Sequence, residues 1–416
     1  MGLVDITIVG HLGNASYIGA IAIGSMLFNM IYWIFSFLRM GTGGMTSQAF
    51  GRHDLPEVTR LLMRSIIVGL FLALLLMLLQ TPLRLVSFYF IDATREVEDM
   101  ASLYFRICIW GAPATLGLYS FNGWFIGMQN SRFPMFIAIA QNLINITASV
   151  TFVFLFGMKV EGVALGTLTA QYAGLFMAIF LWMRYYGNLH KYLRREHLFE
   201  RHAMLQFFQV NRDIFLRTLC LISVTVFFTS TSASYGDITL AVNTLLMQLF
   251  TLFSYIMDGF AYAGEALTGK HIGARNSREL QSTIFRLFYW GIALSLLFTL
   301  LYGMGGTDFL SLLTNDKSVI DASKQYFFWV LAIPLVSFSA FLFDGICIGA
   351  TKTNIMLYSM SVATICFFFT YFGLQDLLQN HALWLAFIIY LGIRGITQAL
   401  FLRKHKLIPI FAYKHF

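Results

Sequence analysis

The chain alternates between long apolar stretches and short polar turns. Most of the apolar stretches reach the length of about 20 residues that an α-helix needs to cross the hydrocarbon core of a bilayer. Taking each polar turn as a helix boundary, we predict twelve membrane-spanning helices. They are expected at residues 1–10, 17–50, 57–80, 95–127, 132–156, 161–185, 212–235, 238–271, 279–303, 318–348, 354–374 and 381–402.

The helix predicted at residues 1–10 is shorter than the others. It is too short to span a bilayer alone, and no basic segment of a signal peptide precedes its apolar residues. We therefore expect a truncated first helix, whose native start lies upstream of Met1 or has been removed.

Basic residues are concentrated in alternate turns, which predicts the orientation of the chain. The opposite turns hold few basic residues, among acids such as Asp92 and Glu96. Because cytoplasmic loops carry the excess of Lys and Arg, we expect the basic turns and the C-terminus in the cytoplasm. The basic turns contain Arg52, Arg132, Arg184, Lys191, Arg194, Arg195, Arg201, Arg212, Arg275, Arg278, Lys352, Arg403, Lys404, Lys406 and Lys414.

These boundaries predict four segments: an N-terminal lobe of six helices over 1–185, a basic cytoplasmic connector over 186–211, a C-terminal lobe over 212–402 and a basic tail over 403–416. The connector contains His197-x-x-Glu200-x-His202, which does not have the spacing of a zinc-protease motif. A solvated segment facing lipid headgroups is the favoured interpretation.

The two halves of the chain repeat each other at a constant offset. Tyr104-Phe105 recurs as Tyr326-Phe327, and Gly123-x-x-x-Gly127 recurs as Gly345-x-x-x-Gly349, each pair 222 residues apart. Six helices repeated in the same orientation predict two lobes related by a pseudo-two-fold axis along the membrane normal. Parallel repeats of this kind are typical of transporters.

The composition agrees with a polytopic all-α membrane protein. The chain is 58% hydrophobic and 12% charged, whereas soluble domains carry about 25% charged residues. The net charge of +8 lies mainly in short turns and therefore does not indicate nucleic-acid binding. The four cysteines have neither disulfide nor metal spacing.

Asp5 is the one acid expected at membrane depth in the first half. An ionisable residue there costs about 2.5–3.5 kcal/mol on insertion scales and is a functional-site candidate by default. A carboxylate at this depth favours its neutral form unless a cation accompanies it. We therefore expect a proton or sodium site at Asp5; the alternative is an interfacial Asp near a helix end.

Polar side chains of the fifth and sixth helices are candidate partners of Asp5. Asn145 and Ser149 are four residues apart and share a helix face, and Thr167 and Gln171 have the same spacing. The oxygens of Asn145 and Ser149 could coordinate a hard cation beside a carboxylate. Interhelical hydrogen bonding explains the same residues equally well at this stage.

The second half contains charges of both signs at membrane depth. Counting from the cytoplasmic turns places Glu265 level with Arg394, and Asp258 level with Arg39 of the second helix. Buried charges at matched depth should pair, and Asp344 adds a further acid. Structural ion pairs and a gate or coupling role remain open alternatives.

Signatures of enzymes are missing from the sequence. It has no G-x-S-x-G, no HExxH, no phosphate loop and no metal-spaced set of Cys and His. We therefore expect neither catalysis nor a cofactor.

Four motifs together resemble those of multidrug and toxic compound extrusion (MATE) transporters, in the branch similar to DNA-damage-inducible protein F. The likeness covers nearly the whole chain, and the joint set is specific although each motif is short. The motifs are Val4-Asp5-Ile6-Thr7-Ile8-Val9-Gly10-His11-Leu12-Gly13, Phe37-Leu38-Arg39-Met40-Gly41-Thr42-Gly43-Gly44, Asp258-Gly259-Phe260-Ala261-Tyr262-Ala263-Gly264-Glu265 and Asp344-Gly345-Ile346-Cys347-Ile348-Gly349.

The resemblance implies efflux driven by inward flow of protons or sodium ions. The family's cation-coupling Asp falls on Asp5, and its partner Asn and Thr fall on Asn145 and Thr167. Ser149 departs from the acid or amide of the family, which favours proton over sodium coupling because one carboxylate binds sodium less firmly.

We therefore expect a monomeric cation-coupled antiporter in a bacterial plasma membrane, surrounded by lipid. Its substrates would be organic compounds, cationic or amphipathic, exported from the cytoplasm. The alternative is a flippase for lipid or polysaccharide precursors. A flippase should have a basic central cavity for a phosphate headgroup, whereas the intramembrane charges here are mixed.

Overall fold

The described part of the chain is almost entirely helical. The computed structural model describes residues 5, 8, 15–89, 94–192, 198–306, 308–311, 314 and 316–404. The N-terminal half contains α1 (Ala15–Ile34), α2 (Phe37–Gly51), α3 (Leu55–Leu78), α4 (Gln80–Tyr89), α5 (Arg95–Cys108), α6 (Ala112–Gly127), α7 (Arg132–Val150) and α8 (Val160–Tyr186). The C-terminal half contains α9 (Arg201–Ser234), α10 (Asp237–Gly273), α11 (Ser277–Gly305), α12 (Asp308–Ser311), α13 (Lys317–Ser323), α14 (Phe327–Gly349), α15 (Thr353–Leu378) and α16 (Asn380–Lys404).

Ten helical segments within the described ranges are long and apolar enough to cross a membrane. The two remaining predicted helices are those at 1–10 and 95–127. Most of residues 1–10 lie outside the described residues, but Asp5 and Ile8 have helical backbone. Residues 95–127 form α5, a 3-10 turn at Ile109–Gly111 and α6. The fold therefore agrees with the twelve-helix prediction.

Several predicted helices are interrupted in the structure. The helix at 17–50 breaks into α1 and α2 at Phe35 and Ser36. The 3-10 turn in 95–127 ends two residues before Pro113, which lacks a backbone N–H and whose ring crowds the preceding turn. The C-terminal turn of α7 continues as a π-helix over Thr151–Leu155.

Contacts divide the chain into two compact units. One comprises Met1–Phe50 and Asp54–Phe207, and the other comprises Gly51–His53 and Phe208–Phe416. The division at Phe207 falls inside α9 and inside the predicted connector over 186–211. Described parts of that connector are a 3-10 helix at Gly187–Tyr192 and the first turns of α9.

The connector is held to the N-terminal unit by Arg64 of α3. This side chain is buried, its Nε donates to the Leu198 carbonyl at 2.7 Å, and its Nη1 donates to Glu57 Oε1 at 2.6 Å. A guanidinium group can be buried only where it forms an ion pair and hydrogen bonds, and Arg64 has both. This explains why the connector packs with the first unit up to Phe207.

Local backbone geometry confirms the 222-residue repeat. Asp54 caps α3 by accepting from the Glu57 amide, and Asn276 caps α11 by accepting from the Glu279 amide, both at 3.1 Å. Three pairs of residues with positive φ also lie 222 apart: His53 and Arg275, Gln129 and Thr351, and Gly157 and Gln379. The two halves of the chain therefore place equivalent caps and turns 222 residues apart.

Glycines set the closest helix approaches in both units. A Cβ on Gly123 of α6 would overlap the carbonyl oxygen of Arg39 in α2. A Cβ on Gly345 of α14 would overlap the carbonyl oxygen of Ala261 in α10. Gly345 lies 222 residues after Gly123, and Ala261 lies 222 residues after Arg39, so the two contacts are equivalent. Small residues permit close helix packing in membranes.

We expect Gly123→Ala and Gly345→Ala to destabilise the protein to a similar extent. In each case two helix backbones must separate, at a cost of about 1–3 kcal/mol, which lowers the melting temperature by about 5 °C. Thermal unfolding in detergent measures this. Gly259→Ala on α10 is the matched control, because nothing lies within 4 Å of its added Cβ. Unchanged melting of both test variants would contradict the prediction.

Candidate functional site

A buried cluster of polar side chains lies in the N-terminal unit; we call Asp5, Asn145, Ser149 and Thr167 the N-lobe polar cluster. Thr167 donates from Oγ1 to Asp5 Oδ2 at 3.0 Å, and Asn145 donates from Nδ2 to Thr167 Oγ1 at 3.1 Å. Asn145 and Ser149 are fully buried, and Asp5 and Thr167 nearly so. Residues 5, 145 and 167, far apart in sequence, thus form one hydrogen-bonded chain.

Helices α7 and α8 bring these side chains together because they pack closely. Gly166 of α8 lies directly against Ser149 of α7, and a Cβ at Gly166 would overlap the Ser149 side chain. Gly174 lies in the same way against Gln141, two turns along each helix. Within the cluster, Ser149 is therefore placed by its contact with Gly166, the residue before Thr167.

The cluster has more acceptor atoms than donors among the residues that the structure describes. Asp5 Oδ1, Asn145 Oδ1 and Ser149 Oγ are buried without a hydrogen-bond partner there. Buried polar atoms normally have partners, and an exception indicates a functional constraint or a bound species. A proton on Asp5 or a small cation bound by oxygen atoms would suit this donor set.

A second buried cluster lies in the C-terminal unit; we call Arg217, Asp344, Arg394 and Gln398 the C-lobe charge cluster. Asp344 Oδ2 accepts hydrogen bonds from both Arg217 and Arg394, and Asp344 Oδ1 accepts from Gln398 Nε2 at 2.6 Å. The Arg394 guanidinium also lies 5.6 Å from the ring centroid of Phe341. Helices α9, α14 and α16 are thereby linked through one carboxylate.

The C-lobe charge cluster differs in its membership from the sequence prediction. Counting residues from the cytoplasmic turns paired Arg394 with Glu265. In the structure, Arg394 forms an ion pair with the Asp344 carboxylate. Arg217 was missed, although it stands in the apolar stretch Ile214-Phe215-Leu216-Arg217-Thr218-Leu219 and satisfies the same criterion that singled out Asp5. Gln398 was missed because a single amide carries no comparable signal.

The other predicted charges lie on different parts of the fold. Arg39, grouped with the C-lobe candidates from the sequence, lies on α2 in the N-terminal unit. Asp258 and Glu265 lie on α10 in the C-terminal unit, and Glu265 is buried. A gate or coupling role for these residues stays a prediction.

Groups of three or more His, Cys, Asp or Glu side chains able to hold a metal ion do not occur in the described ranges. The two clusters therefore depend on single carboxylates. In the N-lobe polar cluster the partners are neutral, whereas in the C-lobe charge cluster they are mainly cationic. The first arrangement can exchange a proton or a cation, while the second keeps its carboxylate occupied by Arg217 and Arg394.

Comparison with known families gives a match over more than half of the chain. The model of the family described as MatE matches residues 1–151 and 214–372. The chain is 33% identical to DNA damage-inducible protein F of Escherichia coli over 408 residues, covering 97% of this chain and 88% of that protein. It is 24% identical to Protein DETOXIFICATION 42 of Arabidopsis thaliana, covering 83% of this chain and 65% of that protein.

Solved structures share the fold at low sequence identity. An outward-facing multidrug-resistance MATE transporter of the MOP superfamily superposes with a TM-score of 0.82 at 18% identity, covering 97% of this chain and 90% of that one. The eukaryotic MATE transporter AtDTX14 superposes with a TM-score of 0.84 at 16% identity and the same coverage. These likenesses extend the two-lobe helical fold to the present chain.

Proposed function

The chain belongs to the MatE family, as a DinF-like MATE efflux transporter of the membrane, and on that premise we propose that it is an antiporter in which a cation at Asp5 drives export of organic compounds. The observation that carries the proposal is the buried chain from Asn145 through Thr167 to Asp5. The family membership supports a transporter rather than an enzyme. The coupling ion and the direction of transport are parts of the proposal.

The physical argument begins with the cost of an ionised carboxylate inside a lobe. Asp5 is buried, and the side chain that the structure shows donating a hydrogen bond to it, Thr167, is neutral. A buried charge without a counter-charge is unfavourable, so Asp5 should hold a proton or a metal cation for most of the cycle. A cation that binds one conformation more tightly shifts the conformational equilibrium by its differential affinity, and this shift can release substrate.

Proton coupling is the favoured form of the proposal. Sodium binds best where several oxygens, including more than one carboxylate, surround it, whereas Ser149 supplies only a hydroxyl. A proton needs only Asp5 Oδ1, which is buried without a described partner. The positive-inside distribution supports a cytoplasmic C-terminus. Export from the cytoplasm of a bacterial cell is part of the same proposal.

A flippase remains the alternative function. It would require a basic central cavity for a phosphate headgroup, and the C-lobe charge cluster does contain two arginines. Both of these guanidiniums are bound to Asp344, which leaves less positive charge for a phosphate headgroup. This observation favours organic compounds over phosphorylated lipids as substrates.

Transport by purified protein in proteoliposomes tests the proposal. A fluorescent organic cation serves as substrate, and either a proton or a sodium gradient is imposed. We expect transport against the substrate gradient with the proton gradient and little with sodium alone. Protein-free vesicles are the control. Transport of a labelled phospholipid between leaflets, without transport of the organic cation, would contradict the proposal in favour of the flippase.

A further inference from the structure

A cationic cavity lies between α4 and α5, separate from both clusters described above. Its volume is about 270 Å³, and it is lined by Gln80, Thr81, Arg84, Phe105 and Arg106. Arg84 is partly buried and donates from Nη1 to Ser102 Oγ at 2.8 Å, which fixes its side chain along α5. The cavity is thus lined by the guanidinium groups of Arg84 and Arg106, the amide of Gln80 and the hydroxyl of Thr81.

Neither arginine of this cavity has a carboxylate partner within the described ranges. Ion pairs found there include those of Arg60, Arg64, Arg212, Arg217, Lys324 and Arg394. The acidic residues in the first turn of α5 are Glu96 and Glu98. Asp99 follows them and lies seven residues, or about 10 Å, from Arg106 along the helix. Among the residues described at its lining, the cavity therefore has an excess of positive charge.

The surroundings of the cavity are apolar and exposed. Leu85 and Val86 follow Arg84 on α4, and Trp110 lies one turn after Arg106; each is more than half exposed. In a protein of the membrane such side chains face lipid. Arg106 is exposed beside them, and a lipid-facing arginine is costly unless an anion neutralises it.

We propose that this cavity binds the phosphate group of an anionic phospholipid, with the acyl chains lying along the exposed apolar side chains of α4 and along Trp110 in the 3-10 turn after α5. Guanidinium groups bind phosphate oxygens through paired, charge-assisted hydrogen bonds. Inorganic phosphate offers the same oxygens but makes no use of the apolar surroundings. A zwitterionic headgroup brings its own ammonium ion towards two arginines, which weakens binding.

The test is native mass spectrometry of the delipidated full-length protein in detergent, titrated with phosphatidylglycerol, phosphatidylcholine or inorganic phosphate. Wild type should bind one phosphatidylglycerol more tightly than phosphatidylcholine. Arg84→Gln and Arg106→Gln should each weaken this binding about threefold, and the double variant about tenfold. Arg95→Gln is the matched control, because it removes an exposed arginine of α5 that does not line the cavity.

Hydrogen exchange gives a readout that needs no variant. Phosphatidylglycerol should slow exchange in residues 80–89 and 102–106 of wild type, and inorganic phosphate should not. Equal phosphatidylglycerol binding by wild type and the double variant would overturn the proposal. Equal affinity for phosphatidylcholine, or protection by inorganic phosphate alone, would overturn it as well.

Discussion

Asp5→Asn is expected to reduce gradient-driven efflux to the level of protein-free vesicles while leaving the protein folded and inserted. The amide has the size of the carboxyl group, and its oxygen can still accept the hydrogen bond from Thr167. It carries no negative charge and cannot take up a proton at neutral pH, so the cation that drives the cycle has no site. Substrate uptake into proteoliposomes under an imposed gradient measures the effect.

The control for this variant is Glu161→Gln, which makes the same chemical change in the same unit. Glu161 lies in the first turn of α8, six residues before Thr167, and is only partly buried. It should retain transport, and both variants should melt near wild type. Near-normal transport by Asp5→Asn under either gradient would exclude Asp5 as the coupling residue.

The partners of Asp5 should contribute smaller, graded effects. Asn145→Ala removes the donor to Thr167, and a polar hydrogen bond in a membrane contributes about 0.6 kcal/mol on average and up to about 1.7. The same assay should therefore show the apparent affinity for the coupling cation fall about three- to twentyfold. Asn142→Ala is the comparison, because Asn142 is exposed and donates to the Ala138 carbonyl of its own helix.

The sequence contained enough information to predict the helices and the repeat. Helix positions follow from hydropathy because a helix that spans a bilayer needs a minimum apolar length. The 222-residue offset can be recognised from glycines, which recur where two helix backbones pack closely. The break at Phe35 and Ser36 has no Pro or Gly to announce it. Docking of Leu198 on Arg64 depends on tertiary packing that no local pattern encodes.

The candidate sites were predictable only in part. An i, i+4 spacing places Asn145 and Ser149 on one face of α7, but it does not say that this face meets Thr167 of α8. Counting residues from the cytoplasmic turns estimates the position of a charge along the membrane normal. It does not give the rotation of each helix about its axis. This is why the sequence did not bring Arg394 together with Asp344, with which it pairs in the structure.

Asp344→Asn is expected to have the largest effect on stability among the charge variants. Asp344 Oδ2 accepts from Arg217 and Arg394, and all three side chains are buried. Removing the carboxylate leaves two guanidiniums facing each other, and breaking a buried pair in this way costs about 3–5 kcal/mol. Thermal unfolding in detergent should show a melting temperature lower by about 10 °C.

A second substitution separates electrostatic from steric causes. Arg394→Met in the Asp344→Asn background removes one of the two unpaired charges and fills similar volume, so part of the lost stability should return. Asp321→Asn provides the control, because Asp321 pairs with Lys324 at 2.7 Å on an exposed surface, where an ion pair contributes about 1 kcal/mol or less. If Asp344→Asn melts like wild type, or if Arg394→Met lowers stability further in that background, the carboxylate does not hold the two arginines as described.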